Sequence, residues 1–174
     1  MGRKMRELWE NRDYLVTPGI ANPLQAMIVE KVGYDYVYMG GYDTSLTLLG
    51  FPDVGLTTAS EMITNARNIA KAVDIPVIAD ADTGYGNAVN VMRTVEDYEA
   101  AGVAGIHIED QTNPKRCGAL AGVMIIPIDE AVGKIKAAID AKKDKDFIII
   151  ARTDALKAVN GGFEEALRLS LIHI

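Results

Sequence analysis

Two aspartates one residue apart, Asp80 and Asp82, close the apolar run Ile75-Pro76-Val77-Ile78-Ala79 and lead into Thr83-Gly84-Tyr85-Gly86. A short apolar run of this kind, rich in β-branched residues, predicts a buried parallel strand. If strand geometry continues through the acidic end, alternate side chains share a face, and Asp80 and Asp82 point the same way. Like charges held together are unfavourable unless a cation sits between them or one takes a proton. Hard oxygen ligands at a strand end suit Mg²⁺ or Mn²⁺. The competing reading is a solvated Asp-Ala-Asp turn.

A second reactive group lies between Asp110 and Pro127, a stretch longer than the usual βα connection and therefore a candidate lid. It holds the single cysteine, Cys117, after Lys115 and Arg116 and before Gly118. Cations beside a cysteine are the setting of reactive thiols, whereas a lone cysteine elsewhere is commonly inert and buried. His107 alternates with Ile106 and Ile108, so it shares a face with Glu109; lining a site and ordinary packing are equally open for it.

The elements that must position these groups alternate regularly. Lys4 to Asn11 reads as a short amphipathic helix, and Tyr14 to Thr17 as a first strand. Asn22-Pro23 starts a helix that Gly33 stops. Tyr34 to Met39 is a second strand ending at Gly40-Gly41, followed by a loop containing Gly50-Phe51-Pro52-Asp53. Thr58-Ala59-Ser60-Glu61 is a capping box for a helix reaching Val73. After the Asp80 strand come a helix from Val89 to Ala101, a strand from Gly105 to Asp110, a helix from Pro127 to Lys142 and a strand from Phe147 to Ala151.

Strictly alternating strands and helices build a parallel α/β sheet, either doubly wound or a (β/α)₈ TIM barrel. No Gly-x-Gly-x-x-Gly follows the first strand, which disfavours the doubly wound nucleotide binder. Polar groups at successive strand ends (Gly40-Gly41, Asp80 and Asp82, Glu109, Arg152) are what the active face of a barrel requires. A barrel typically takes about 250 residues, so these 174 residues predict a barrel truncated after about five βα units. Its unpaired sheet edge would favour self-association.

A net charge of −6 argues against nucleic-acid or anionic-membrane surfaces. No apolar run has the length of a membrane span, and Met1-Gly2-Arg3-Lys4 leads into no signal-peptide core. A single cysteine excludes an internal disulfide, so the expected compartment is the cytoplasm. The last hexapeptide, Leu169 to Ile174, breaks off without a cap and resembles the translation of a transposase adapter used in sequencing libraries. The expectation is a partial TIM-barrel domain over residues 1–168 and a non-native tail over 169–174.

Six motifs together resemble the isocitrate lyase/phosphoenolpyruvate mutase superfamily, most closely its 2-methylisocitrate lyases and other short lyases. They are Tyr38 through Gly41, Gly50-Phe51-Pro52-Asp53, Asp80-Ala81-Asp82, His107-Ile108-Glu109-Asp110, Lys115-Arg116-Cys117-Gly118 and Ala151-Arg152-Thr153-Asp154. The resemblance implies a barrel, usually tetrameric, that binds Mg²⁺ and a small carboxylate substrate at the strand ends. It implies Asp53, Asp80, Asp82 and Glu109 as the metal shell, and Gly40 and Gly41 as amide donors to the substrate. Arg152 becomes the substrate's charged clamp. Cys117, with Lys115 beside it, resembles the general acid of carbon–carbon cleavage, and Tyr38 assists the hydroxyl proton. The cysteine favours lysis over phosphonomutase chemistry. Two departures stand out: Ala119 replaces the histidine of the lyase motif, and Gly40 replaces a serine or threonine. The expected activity is cleavage of a 2-methylisocitrate-like substrate, with oxaloacetate decarboxylation or phosphonomutase chemistry as alternatives. A chain of five units alone is expected to be inactive.

Overall fold

Helix boundaries follow local chemistry closely. In the computed structural model, which describes residues 1–171, helix α1 spans Gly2–Asn11 and α2 spans Pro23–Val32. The α2 start is capped by the Asn22 side chain on the Gln25 amide, and its end by Gly33 in the left-handed region at φ 102°. The Thr58–Glu61 capping box opens α4, Ala59–Ala72, and Asn87 caps α5, Ala88–Ala101, which Gly102 closes. Helix α6 spans Ile128–Ala141, and α7 spans Phe163–Leu171 after a 3₁₀ turn at Ala155–Lys157. Ile172, His173 and Ile174, half of the expected tail, lie outside the described residues.

Five strands, β1 (Gly19–Ile20), β2 (Val37–Met39), β3 (Val77–Asp80), β4 (Gly105–Glu109) and β5 (Ile148–Arg152), form one parallel sheet in the order β1-β2-β3-β4-β5. A doubly wound sheet reverses its order at a switch point, whereas sequential order is the wall of a (β/α)₈ barrel. The outer face packs on the helices through Met39, Ala79, Ile106 and Ile108 from the strands, against residues such as Met62, Val91 and Val95. The inner face carries a smaller cluster of Met5, Ile78, Ala104 and Ile148, so α1 plugs the amino end of the strands. Lys4 and Arg6 fix that plug by donating to the carbonyls of Asp74 and Asp146. Among the described residues, no helix is long and apolar enough to cross a membrane.

Three expectations are corrected. Tyr14 to Thr17 is not a strand: Tyr14 and Val16 are exposed, Pro18 offers no amide, and pairing with β2 begins only at Gly19 opposite Tyr38. The region after Gly41 is not a loop but helix α3, Gly41–Leu49, ended by Gly50 at φ 67°. Its buried side is polar (Thr44 and Ser45, with Ser45 Oγ 2.6 Å from Thr57 Oγ1), so no apolar stripe announces it. Finally, strand geometry stops at Asp80: Asp82 is left-handed at φ 48°, and the two aspartates do not alternate along a strand.

Candidate active site

The carboxyl ends of β2 to β5 and the 110–127 connection meet in one cleft of about 140 Å³. Tyr38, Gly40, Gly41, Asp53, Asp80, Glu109, Lys115, Cys117 and Arg152 all line it. Asp82 is not on that wall, but its carboxylate reaches the Lys115 ammonium. The residues predicted from sequence are thus brought together, although their contacts differ from the implied ones.

Asp80 ends β3 and is held from three sides. Its Oδ1 accepts the Asp82 amide at 2.8 Å and lies 2.9 Å from His107 Nε2, while Oδ2 accepts the Gly41 amide at 3.0 Å. Burial opposes its ionisation, yet His107 beside it and Lys115 hold the carboxyl below the usual carboxylate range. Burial, and then the Asp80 charge, push Asp82 up to about 6 against the pull of Lys115. Burial pushes Glu109 up to about 9 although Lys115 and Arg152 favour its anion.

Lys115 is the counter-charge. Only 3% exposed, its Nζ stands 2.6 Å from Asp53 Oδ1 and 2.6 Å from Asp82 Oδ1. Burial disfavours the ammonium, but Asp82, Asp80 and Glu109 hold its proton on. The Asp82 contact has ion-pair distance without aligned hydrogen-bond geometry, which leaves Asp82 Oδ1 unpartnered in that sense. Arg152 lies 3.3 Å from Glu109 Oε2 and donates to Asp154 Oδ1 at 2.9 Å. Glu109 Oε1 is buried with no hydrogen-bond partner.

Four buried carboxylates, Asp53, Asp80, Asp82 and Glu109, therefore share two cations, Lys115 and Arg152, and keep bare oxygens. Hard oxygen donors in such an acidic cluster, whose raised members a bound cation would ionise, fit Mg²⁺ or Mn²⁺. Among the described residues, no three carboxylate, histidine or cysteine side chains converge on one ready-made metal position. The Lys115 ammonium stands between two of them instead.

The two glycines do not present free amides. Gly40 N–H donates to Ile20 O at 3.2 Å, and Gly41 N–H is taken by Asp80. What they supply is room: a Cβ on Gly41 would stand 2.5 Å from Asp80 Oδ2. Tyr38 OH lies 3.0 Å from His107 Nδ1, with the rings stacked at 5.5 Å. Because Nε2 faces the Asp80 carboxylate, the network assigns the ring proton to Nε2 and makes Nδ1 the acceptor of the Tyr38 hydroxyl.

Cys117 is half-buried on the cleft wall, its amide donating to Asp53 O at 2.8 Å. The neighbouring Lys115 ammonium turns into the carboxylates. The expected lid is folded down by Gln111, which donates to Arg116 O and Asp154 Oδ2 and accepts the Arg116 amide. Gln111 was not singled out from sequence, since an isolated glutamine carries no spacing signal. His107 is visible through its alternation with Glu109 and as the first residue of the His107-Ile108-Glu109-Asp110 motif.

The sequence model of the family described as phosphoenolpyruvate phosphomutase matches residues 5–169. The chain is 51% identical over 170 residues to 2,3-dimethylmalate lyase of Eubacterium barkeri, covering 98% of this chain and 58% of that enzyme. It superposes with TM-score 0.94 on a crystal structure of phosphoenolpyruvate phosphomutase from Streptomyces platensis subsp. rosaceus, at 39% identity over 99% of this chain and 60% of that one. Phosphonopyruvate hydrolase in complex with oxalate and Mg²⁺ is similar at TM-score 0.89 and 37% identity, over 99% of this chain and 58% of that one. The chain thus spans somewhat more than half the length of these proteins.

Proposed function

The chain belongs to the phosphoenolpyruvate phosphomutase family, within the isocitrate lyase/phosphoenolpyruvate mutase superfamily, and on that premise we propose that the complete protein carrying it is a Mg²⁺-dependent carbon–carbon lyase. Its substrate is a 2-hydroxy di- or tricarboxylate of the 2-methylisocitrate kind, split into an α-oxo acid such as pyruvate and a second carboxylate. The observation that carries this reading is Cys117 on the same cleft wall as Arg152, Tyr38 and the carboxylates.

Asp53, Asp80, Asp82 and Glu109 would hold the cation, which when bound supplies Lewis-acid stabilisation of negative charge on a substrate oxygen. Arg152 presents a planar fork to a substrate carboxylate, with Asp154 and Glu109 fixing its orientation. Tyr38, its hydroxyl held on His107 Nδ1, stands ready to assist departure of the substrate hydroxyl proton. As the carbon–carbon bond breaks, its electron pair stays on the departing fragment, and Cys117 Sγ–H protonates that carbon. The folded 110–127 segment shields the reactive carbon from water.

Ala119 leaves Cys117 without the histidine neighbour that the lyase motif carries. That departure favours a second reading on the same cleft, decarboxylation of oxaloacetate or phosphonomutase chemistry. We infer that the 174-residue chain alone is inactive, because β1 and β5 are unpaired sheet edges and the barrel is open. The deciding assay follows pyruvate release by the complete protein from 2-methylisocitrate, 2,3-dimethylmalate and oxaloacetate with Mg²⁺. Release from a 2-hydroxy acid supports lysis; release from oxaloacetate alone replaces it with the second reading.

A further inference from the structure

Two lysines are buried among the described residues, and the cleft uses only Lys115. The other, Lys134 on α6, is 4% exposed, and its Nζ donates to the carbonyl of Thr83 at 3.2 Å. Thr83 follows Asp82, so the ammonium grips, from outside the cleft, the turn that follows Asp80 and carries Asp82.

That turn needs gripping. Asp82 and Tyr85 are non-glycine residues at positive φ, 48° and 59°, conformations that cost about 1–3 kcal/mol each unless the surroundings impose them. Helix α5 contributes two hydroxyl clamps, Thr94 Oγ1 on Gly84 O at 3.1 Å and Tyr98 OH on Asp80 O at 2.8 Å. Thr83 Oγ1 donates to Asn113 Oδ1 at 3.0 Å, which ties the turn to the folded lid.

A lysine is an expensive clamp. No ion pair to Lys134 forms among the described residues, and burial pulls its amine below the usual lysine range. If packing were its only role, an apolar side chain of similar size would serve at least as well. The charge has a use because its cavity is shared with Glu109, Asp110 and Arg152, behind a cleft whose carboxylates outnumber their cations.

We propose that Lys134 is a positioning residue: held on the Thr83 carbonyl, it fixes the left-handed Asp82 turn and so presents Asp80 and Asp82 to a divalent cation. This rests on the metal reading given above. The test is Mn²⁺ titration, followed by electron paramagnetic resonance, of the complete protein as wild type, K134M and K134R, with metal-free Tm measured alongside. K134M is expected to raise the Mn²⁺ Kd about tenfold, the scale of lost support behind metal ligands, with Tm unchanged or higher. K134R, which keeps charge and donor, is expected to remain near wild type. Wild-type affinity in K134M overturns the proposal. So does an equal fall of affinity and Tm in both variants, which would mark a packing role. Absence of Mn²⁺ binding by wild type overturns the metal reading and this inference with it. If K134M does not fold, K134L, which likewise lacks charge and donor, takes its place, and the same Kd rise is expected.

Discussion

The two ends of the sheet are built on opposite principles. At the amino ends of the strands, α1 seats Met5 against Ile78, Ala104 and Ile148, and its Lys4 and Arg6 satisfy backbone carbonyls. At the carboxyl ends, four carboxylates share two cations, Asp82 and Tyr85 are left-handed, and Glu109 Oε1 has no partner. One end is a packing solution and the other stores electrostatic cost, because stability and chemistry call for different groups on the same strands.

The contrast can be broken in four ways. The largest expected effect is at the active end: Cys117→Ala in the complete protein should lower kcat by about 10²–10⁴-fold, as for loss of a general acid. Because the residue is only half-buried, Tm should hardly move. At the opposite end Met5→Ala should reverse the pattern. It removes a fully buried side chain, costs about 2–5 kcal/mol in denaturant unfolding and leaves Mn²⁺ affinity alone. A cysteine variant that unfolds, or a methionine variant that loses only metal, would dissolve the distinction.

The third test is pH, on metal-free protein. Glu109, pushed up to about 9, and Asp82, pushed up to about 6, keep protons in the folded state that the unfolded chain has released. Stability from this source is complete below the ordinary carboxyl range and is lost as pH rises through 6 and then 9. Tm in a chelator should therefore fall between about pH 5 and pH 9, and Glu109→Gln should flatten the upper part of that fall. A Tm that climbs over this window would contradict it. The smallest effect belongs to the surface pair Arg3–Glu7 on α1, both exposed: Glu7→Ala should change stability by less than about 0.5 kcal/mol.

Most of the helices were legible in the sequence because their signals are local. Asn22-Pro23, the Thr58–Glu61 box and Gly102 act within a few residues of themselves, and each sits where its chemistry predicts. Helix α3 was hidden because its buried face is polar. At the carboxyl end, residue identities were legible but contacts were not. Asp80, Glu109, Cys117 and Arg152 stand in recognisable motifs, whereas Lys115 between Asp53 and Asp82, 62 and 33 residues away by numbering, depends on how the lid folds. Tertiary closure also explains why the Gly41 amide faces Asp80, a contact across 39 residues.

The strand order has a consequence for how such a cleft comes into being. Among the described residues each strand after β1 pairs with the one made just before it, so none of these four ladders waits for distant sequence. During synthesis the sheet can grow by accretion, one βα unit after another, as the chain leaves the ribosome. Among the described residues lining the cleft, Arg152, at the end of β5, is the last charge to be translated. Its arrival beside Glu109 gives that carboxyl its guanidinium partner and completes the charges described in the cleft.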